Sequence, residues 1–274
     1  MPNRGLSLKL LALLAILAGA GCASVAPAPP SQVLLMGEVH DNPDGHRQRY
    51  EALRALVEAG WRPAIAMEQF DRERQPALTA AQASCHDADC IIAQAGNGKG
   101  WSWEHYRAPI ELALRYKLEL LAANVSRADA SKVIKDGFSA ALDAPTIAAF
   151  GLDQPLPAGL MERQQSEIAA SHCGQLPDAM LPGMARAQVT RDIWMAKTVR
   201  EHASGGVVLL AGNGHVRRDI GAGRWLSGLA PVSHGFVEAG NAPQAGTYDV
   251  VHSIPVHVRP DPCAAFVAPK KPAP

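Results

Sequence analysis

The chain is poor in aromatic residues and carries no surplus of either charge. Phe, Trp and Tyr make up 5% of its 274 residues, too few for the stacking platforms that hold single-stranded nucleic acid. Its 26 Lys and Arg are matched by 26 Asp and Glu, so no basic stripe is available to a phosphate backbone and nucleic acid is not expected as a partner. Several named motifs are also missing. Neither HExxH nor GxSxG occurs, which disfavours zincin and α/β-hydrolase chemistry. Gly212-Asn213-Gly214 fails the dinucleotide fingerprint because Arg217 stands where the third Gly belongs, and Lys99 lacks a P-loop frame. The apolar run at residues 10–18 is too short to cross a bilayer, which needs about 20 residues. No internal repeat is visible. What is present is a chain of 47% hydrophobic residues, long enough to bury a sizeable core and too apolar to be disordered.

The short apolar run has a different meaning. Arg4 and Lys9 precede it and Gly19-Ala20-Gly21 follow, so residues 1–21 read as a secretory signal peptide. Cys22 comes next. A cysteine there resembles the bacterial lipoprotein processing site, where it is acylated and becomes the new N-terminus, although Gly19 stands where the usual pattern has Leu. This predicts a lipid-anchored protein of the bacterial cell envelope. It is expected at the outer membrane facing the periplasm, since Ala23 is not an Asp retention signal. Residues 22–31 form a Pro/Ala-rich tether, residues 32–266 a single α/β domain, and residues 267–274 a tail that frays. With Cys22 taken, Cys85, Cys90, Cys173 and Cys263 remain, an even set consistent with disulfides in an exported chain. Cys85 and Cys90 bracket a short polar loop. They pair locally, or each pairs with Cys173 or Cys263.

The core alternates strand and helix. Four short apolar runs read as buried parallel strands: residues 33–37 (VLLMG), 64–67 (AIAM), 118–122 (LELLA) and 207–211 (VVLLA). Residues 46–59, 109–116 and 183–202 carry helical periodicity between them. Residues 232–237 and 250–256 are candidate late strands. The expected fold is α/β, with a mainly parallel sheet flanked by helices. Residues 126–182, broken by several Pro and Gly, are expected to form a helical lid or insertion.

The polar motifs all follow strands. VLLMG runs into Glu38-Val39-His40-Asp41-Asn42, AIAM into Glu68-Gln69, LELLA into Ala123-Asn124, and VVLLA into Gly212-Asn213-Gly214-His215. In an open parallel sheet the carboxyl ends of the strands lie on one edge, where ligands bind. Four strand ends thus deliver two carboxylates, two imidazoles and two amides to one rim. Glu38 and His40 point to the same side if the strand persists, while Asp41 or Asp44 can serve simply as a helix N-cap.

Gly37-Glu-Val-His-Asp-Asn-Pro43 followed by His46 resembles the opening motif of the ChaN-like haem-binding lipoproteins, within the Tiki/TraB and erythromycin-esterase-like superfamily. Further blocks follow in order: Met67-Glu68-Gln69-Phe70, Trp101 with Trp103 and Tyr106-Arg-Ala-Pro109, Ala123-Asn124, residues 188–196 (QVTRDIWMA), and Ala211-Gly-Asn-Gly-His215. The resemblance implies an α/β domain, an envelope location and haem binding linked to iron uptake. Haem iron is held by His, Tyr, Met or Cys. The candidate cofactor-binding residues are Glu38, His40, His46, Glu68, Tyr106, Asn124, Asn213 and His215. Two classes of function follow. In the binding reading, the lipoprotein holds haem, passes it on and pairs with itself as a homodimer around the flat ligand. In the enzyme reading, Glu38, His40, Glu68 and His215 bind a divalent metal that activates water, or act as a metal-free esterase with His as base.

Overall fold

The computed structural model describes residues 32–96, 100–261 and 263–264. The expected signal peptide, Cys22, the tether, Lys99 and the tail lie outside the described residues. Six strands form one all-parallel sheet: β1 (Val33–Met36), β2 (Ala64–Asp71), β3 (Leu120–Asn124), β4 (Val207–Leu210), β5 (Val232–Glu238) and β6 (Val250–Ile254), in the order β3-β2-β4-β1-β5-β6. Among the described residues eight α-helices flank it: α1 (Pro43–Glu58), α2 (Gln75–Ser84), α3 (Ala88–Ala95), α4 (Arg107–Tyr116), α5 (Arg127–Asp136), α6 (Ala144–Ala149), α7 (Ala158–Ser171) and α8 (Leu181–His202). The α/β expectation holds, and every strand pair is parallel.

Both faces of β1 to β4 are buried, which is why these strands read as continuous apolar runs rather than alternating ones. Leu34, Met36, Ile65, Met67, Val208 and Leu210 pack on one face against Leu53 and Val57 of α1, Leu78 of α2, Ile91 of α3 and Ile110 of α4. Val33, Leu35, Ala66, Val207 and Leu209 face the other way, against Met195, Ala196 and Val199 of α8. Chain order explains this division. The connections from β1 through β2 to β3 run toward one edge with their helices on the first face. The return from β3 to β4 runs the opposite way with α8 on the second, as crossovers of a single hand require. Residues 126–182 are largely helical and add an outer layer. Val133 of α5 packs with Ala187 of α8, and Leu142 and Leu152 pack with Val189 and Ile193.

Some boundaries differ from expectation. The helix expected from His46 begins at Pro43, with Pro at its first turn, and its N-cap is Asn42 rather than either aspartate: the Asn42 Oδ1 accepts from the Gly45 N–H at 2.9 Å. The third strand starts at Leu120, not Leu118. Helix α4 ends on Lys117 in the left-handed conformation (φ 54°), and the Leu118 N–H bonds back to the Ala113 carbonyl at 2.9 Å. Leu118 is therefore the buried apolar residue that seals a helix C-terminus. The polar loop expected between Cys85 and Cys90 is in part the first turn of α3, capped by the Asp87 carboxylate, which accepts from the Cys90 N–H at 2.8 Å. Two disulfides form, Cys85–Cys90 and Cys173–Cys263. The second joins the turn after α7 to the segment after β6.

Candidate functional site

The four expected strand ends do meet on one rim, but their side chains divide between two clusters. Sheet register decides which. Met36 and Met67 both pair with Leu210 of the intervening β4, so Glu68 lies level with Gly37 and Glu38 is one residue further along. Because side chains alternate, Glu38 continues the phase of Leu34 and Met36 toward α1, and Glu68 continues the phase of Ala66 toward α8.

The Glu38 cluster is sealed. Its carboxylate is fully buried and ion-paired with Arg49 of α1, while Oε1 accepts from the Tyr106 hydroxyl at 2.6 Å and pairs with His40 Nδ1 at 2.8 Å. Burial alone would push the Glu38 carboxyl up; Arg49, the His40 hydrogen bond and the charges of His46 and His40 outweigh it and hold the pKa at about 2. His46 is used up locally. Its Nε2 bonds the His40 carbonyl at 3.0 Å, its Nδ1 takes a hydrogen bond from Arg49 at 3.2 Å, and its ring stacks on His105 at 4.5 Å. Burial first and Arg49 second bring its pKa down to about 4, so it is neutral. The Tyr106 side chain is fully buried, and burial together with the Glu38 carboxylate raises its pKa.

The second cluster is more open. His215 Nδ1 meets Asp192 of α8 at 2.6 Å, and its Nε2 lies 3.6 Å from Glu68 Oε1. The Glu68 Oε2 accepts from the Gly212 N–H at 2.8 Å. The other Asp192 oxygen accepts from Gln164 of α7 at 3.2 Å. Burial pushes the Asp192 carboxyl up to about 6. Burial opposes charge on His215, but Glu68 and Asp192 more than compensate and raise its pKa.

His40 stands between the clusters. With Nδ1 directed at Glu38, its Nε2 makes no hydrogen bond among the described residues, and the ring lies beside Trp101 at 5.2 Å between ring centroids. A methyl group added at Gly212 would sit 3.0 Å from His40 Nε2 and 3.6 Å from Glu68 Oε2, so the glycine lets the imidazole and the β4 loop approach closely. Partial burial works against charge on His40, while Glu38 and Glu68 raise its pKa.

A cavity of about 730 Å³ opens over this rim, lined by His40, His215, Val39 and Ile220 and walled by Gln164 and Ile168 of α7. Arg259, on the segment after β6, completes the wall and clamps Asp41 at 2.7 and 2.9 Å.

The other expected residues have defined places. Asn213 bonds the backbone of Phe236 through both ends of its amide, at 2.6 and 3.1 Å, and crosses over Gly37, where a Cβ would lie 2.1 Å from its Oδ1. Asn124 caps its own strand end through the Val125 N–H at 2.9 Å. The four residues expected to share one metal, Glu38, His40, Glu68 and His215, do not form a single set, because register sends the two glutamates to opposite faces. Among the described residues no group of three or more His, Cys, Asp or Glu converges on a metal-sized point.

Sequence reasoning missed Arg49, Asp192 and Gln164. Each lies on a buried stretch of a helix, and the signal available was a polar residue inside an apolar stripe, such as Asp192 between Val189 and Ile193.

Comparison with known proteins places these observations in a family. Residues 25–226 match the family described as haem-binding uptake, Tiki superfamily, ChaN. No curated protein matches the chain. Among solved structures it is similar to ChaN of Campylobacter jejuni, described with cofacial haem binding, at 21% identity and a TM-score of 0.64 over 81% of this chain and 86% of that one. More distant likenesses are the type III effector HopBA1 (13% identity, TM-score 0.43, 82% of this chain and 88% of that one) and a mutant erythromycin esterase EreC in its open conformation (14%, 0.45, 80% and 74%). The family match spans most of the chain and the fold agrees with it: the chain belongs to the ChaN family of the Tiki superfamily.

Proposed function

We propose that this chain binds haem in the cavity between His40 and α7, with His40 Nε2 facing the iron. The observation that carries this reading is the His40 ring itself. Glu38 anchors Nδ1 at 2.8 Å, which fixes the orientation of the ring, and Nε2 is left without a hydrogen-bond partner at the edge of the cavity. A carboxylate bonded to the far nitrogen of an imidazole ligand orients the ring and raises its basicity. The cavity volume falls within the usual range for ligand sites, roughly 300–1,000 Å³, and Val39, Ile168 and Ile220 give it an apolar wall suited to a flat macrocycle. Haem bound there would supply an iron centre whose exchange serves iron uptake. His46 and Tyr106 support the site from below, since their polar atoms are engaged with Arg49, the His40 carbonyl and Glu38.

Haemin titrated into the protein is expected to give a saturable Soret shift. His40→Ala should weaken binding by about tenfold or more, equivalent to about 1.4 kcal/mol, and move the Soret maximum. Absence of saturable binding by the unaltered protein would reject the reading.

Export and anchoring belong to the same proposal. They are supported by Arg4, Lys9, the apolar run and Cys22 in the sequence, and by two disulfides, which persist in oxidising compartments. Cell fractionation checks the anchor: Cys22→Ala should move the protein from the membrane to the soluble periplasmic fraction. A variant that stays with the membrane would show that acylation is not what holds it.

A further inference from the structure

A second cavity of about 650 Å³ meets the first at His40 and Asp41. Its walls carry Arg127, the first residue of α5, and Arg191 of α8, with Trp101 and Asn124 nearby. The carboxylates that line it are already engaged. Glu68 takes the Gly212 N–H at 2.8 Å, Asp41 is clamped by Arg259 at 2.7 Å, and Asp71 has a partner of its own. The two guanidinium groups are not: among the described residues neither donates a hydrogen bond or forms an ion pair, and the Arg191 Nε is buried without an acceptor. A desolvated donor without a partner is unfavourable. A guanidinium fork presents paired N–H groups whose geometry matches a carboxylate. Arg127 also stands at the N-terminal end of a ten-residue helix, where the helix dipole favours an anion.

His40 lies on the boundary of both cavities. A ligand held at His40 therefore borders the polar cavity as well as the first one. We propose that Arg127 and Arg191 form a carboxylate subsite that takes the propionate groups of the haem. This inference rests on the haem reading and adds the direction in which the ligand lies.

The test compares haemin with haemin dimethyl ester, in which the carboxylates are masked, on the unaltered protein and on Arg127→Gln, Arg191→Gln and the double variant. Haemin is expected to bind about tenfold or more tightly than the ester, as charge-assisted hydrogen bonds imply. Each single variant should lose part of that preference and the double variant all of it, with ester affinity and Soret position unchanged. Unchanged ester affinity also shows that the variants fold, and Arg127, being exposed, carries the test if Arg191→Gln does not fold. Equal affinity for haemin and ester in the unaltered protein overturns the subsite and leaves the haem reading standing. A preference that survives in the double variant overturns the assignment to these arginines. Failure of the unaltered protein to bind either porphyrin overturns both.

Discussion

The two glutamate clusters of the rim start from the same recipe: an acidic residue after an apolar strand and a histidine within reach. They end differently. Around Glu38 every strong donor finds an acceptor inside the protein, from Arg49 to Tyr106 to His40. Around Glu68 the nearest imidazole nitrogen stays 3.6 Å away, and the carboxylate is held instead by a backbone N–H from Gly212. One cluster closes on itself except at His40 Nε2, and the other holds its carboxylate and imidazole short of a direct hydrogen bond. The lesson is that residue type announces a site, whereas the hydrogen-bond partners decide which atoms are used up in supporting it and which stay open to it.

The contrast can be broken most directly at Glu38. Glu38→Gln leaves Arg49 buried without its counter-charge and should destabilise the protein by about 3–5 kcal/mol in urea or thermal unfolding, the cost of removing one member of a buried pair. A loss below about 1 kcal/mol would show that the cluster does not close on itself as described. Acid should sharpen the same point. The Glu38 pKa is depressed on folding to about 2, so its contribution is present above the ordinary carboxyl value near 4.5 and is lost as pH falls toward 2. Between those values the stability of the unaltered protein should fall toward that of the variant.

A smaller effect is expected in the open cluster. His215→Ala removes one partner of Asp192 and should cost about 1–3 kcal/mol, with the Soret position of the haem complex preserved. The linkage has the opposite sign here. The His215 pKa is raised on folding, so its contribution is complete below about 6.5 and fades as pH rises through the folded value. The difference between His215→Ala and the unaltered protein should therefore shrink at alkaline pH. A difference that grows there would remove the Asp192–His215 pair from the account.

Much of this arrangement was readable in the sequence, and its limits have physical reasons. The strands β1 and β4 were legible within a residue because both of their faces are buried, so VLLM and VVLL stand out as unbroken apolar runs. Glu38, His40, Glu68 and His215 were legible because they follow the apolar runs at residues 33–37, 64–67 and 207–211. Their division into two sets was not. That depends on β4 pairing with both β1 and β2, and a register between strands distant in sequence leaves no local mark. Helices α2 and α3 went unread because their buried faces are short, Leu78 with Ala81 and Ala88 with Ile91 and Ala95. Arg49 and Asp192 were hidden because a charged residue within a helical pattern reads as the solvated face until its partner on another element is known.

The Cys173–Cys263 bridge has a consequence for the order of events in biosynthesis. It fastens the Arg259 segment beside the end of α7, and both supply the outer wall of the His40 cavity. Cys263 leaves the ribosome 90 residues after Cys173, when all six strands have already been made. The sheet and its rim can therefore assemble on a chain whose cavity still lacks its outer side. Closure is a covalent step that waits for oxidation, so the outer wall of the cavity is set only once the two thiols meet an oxidant.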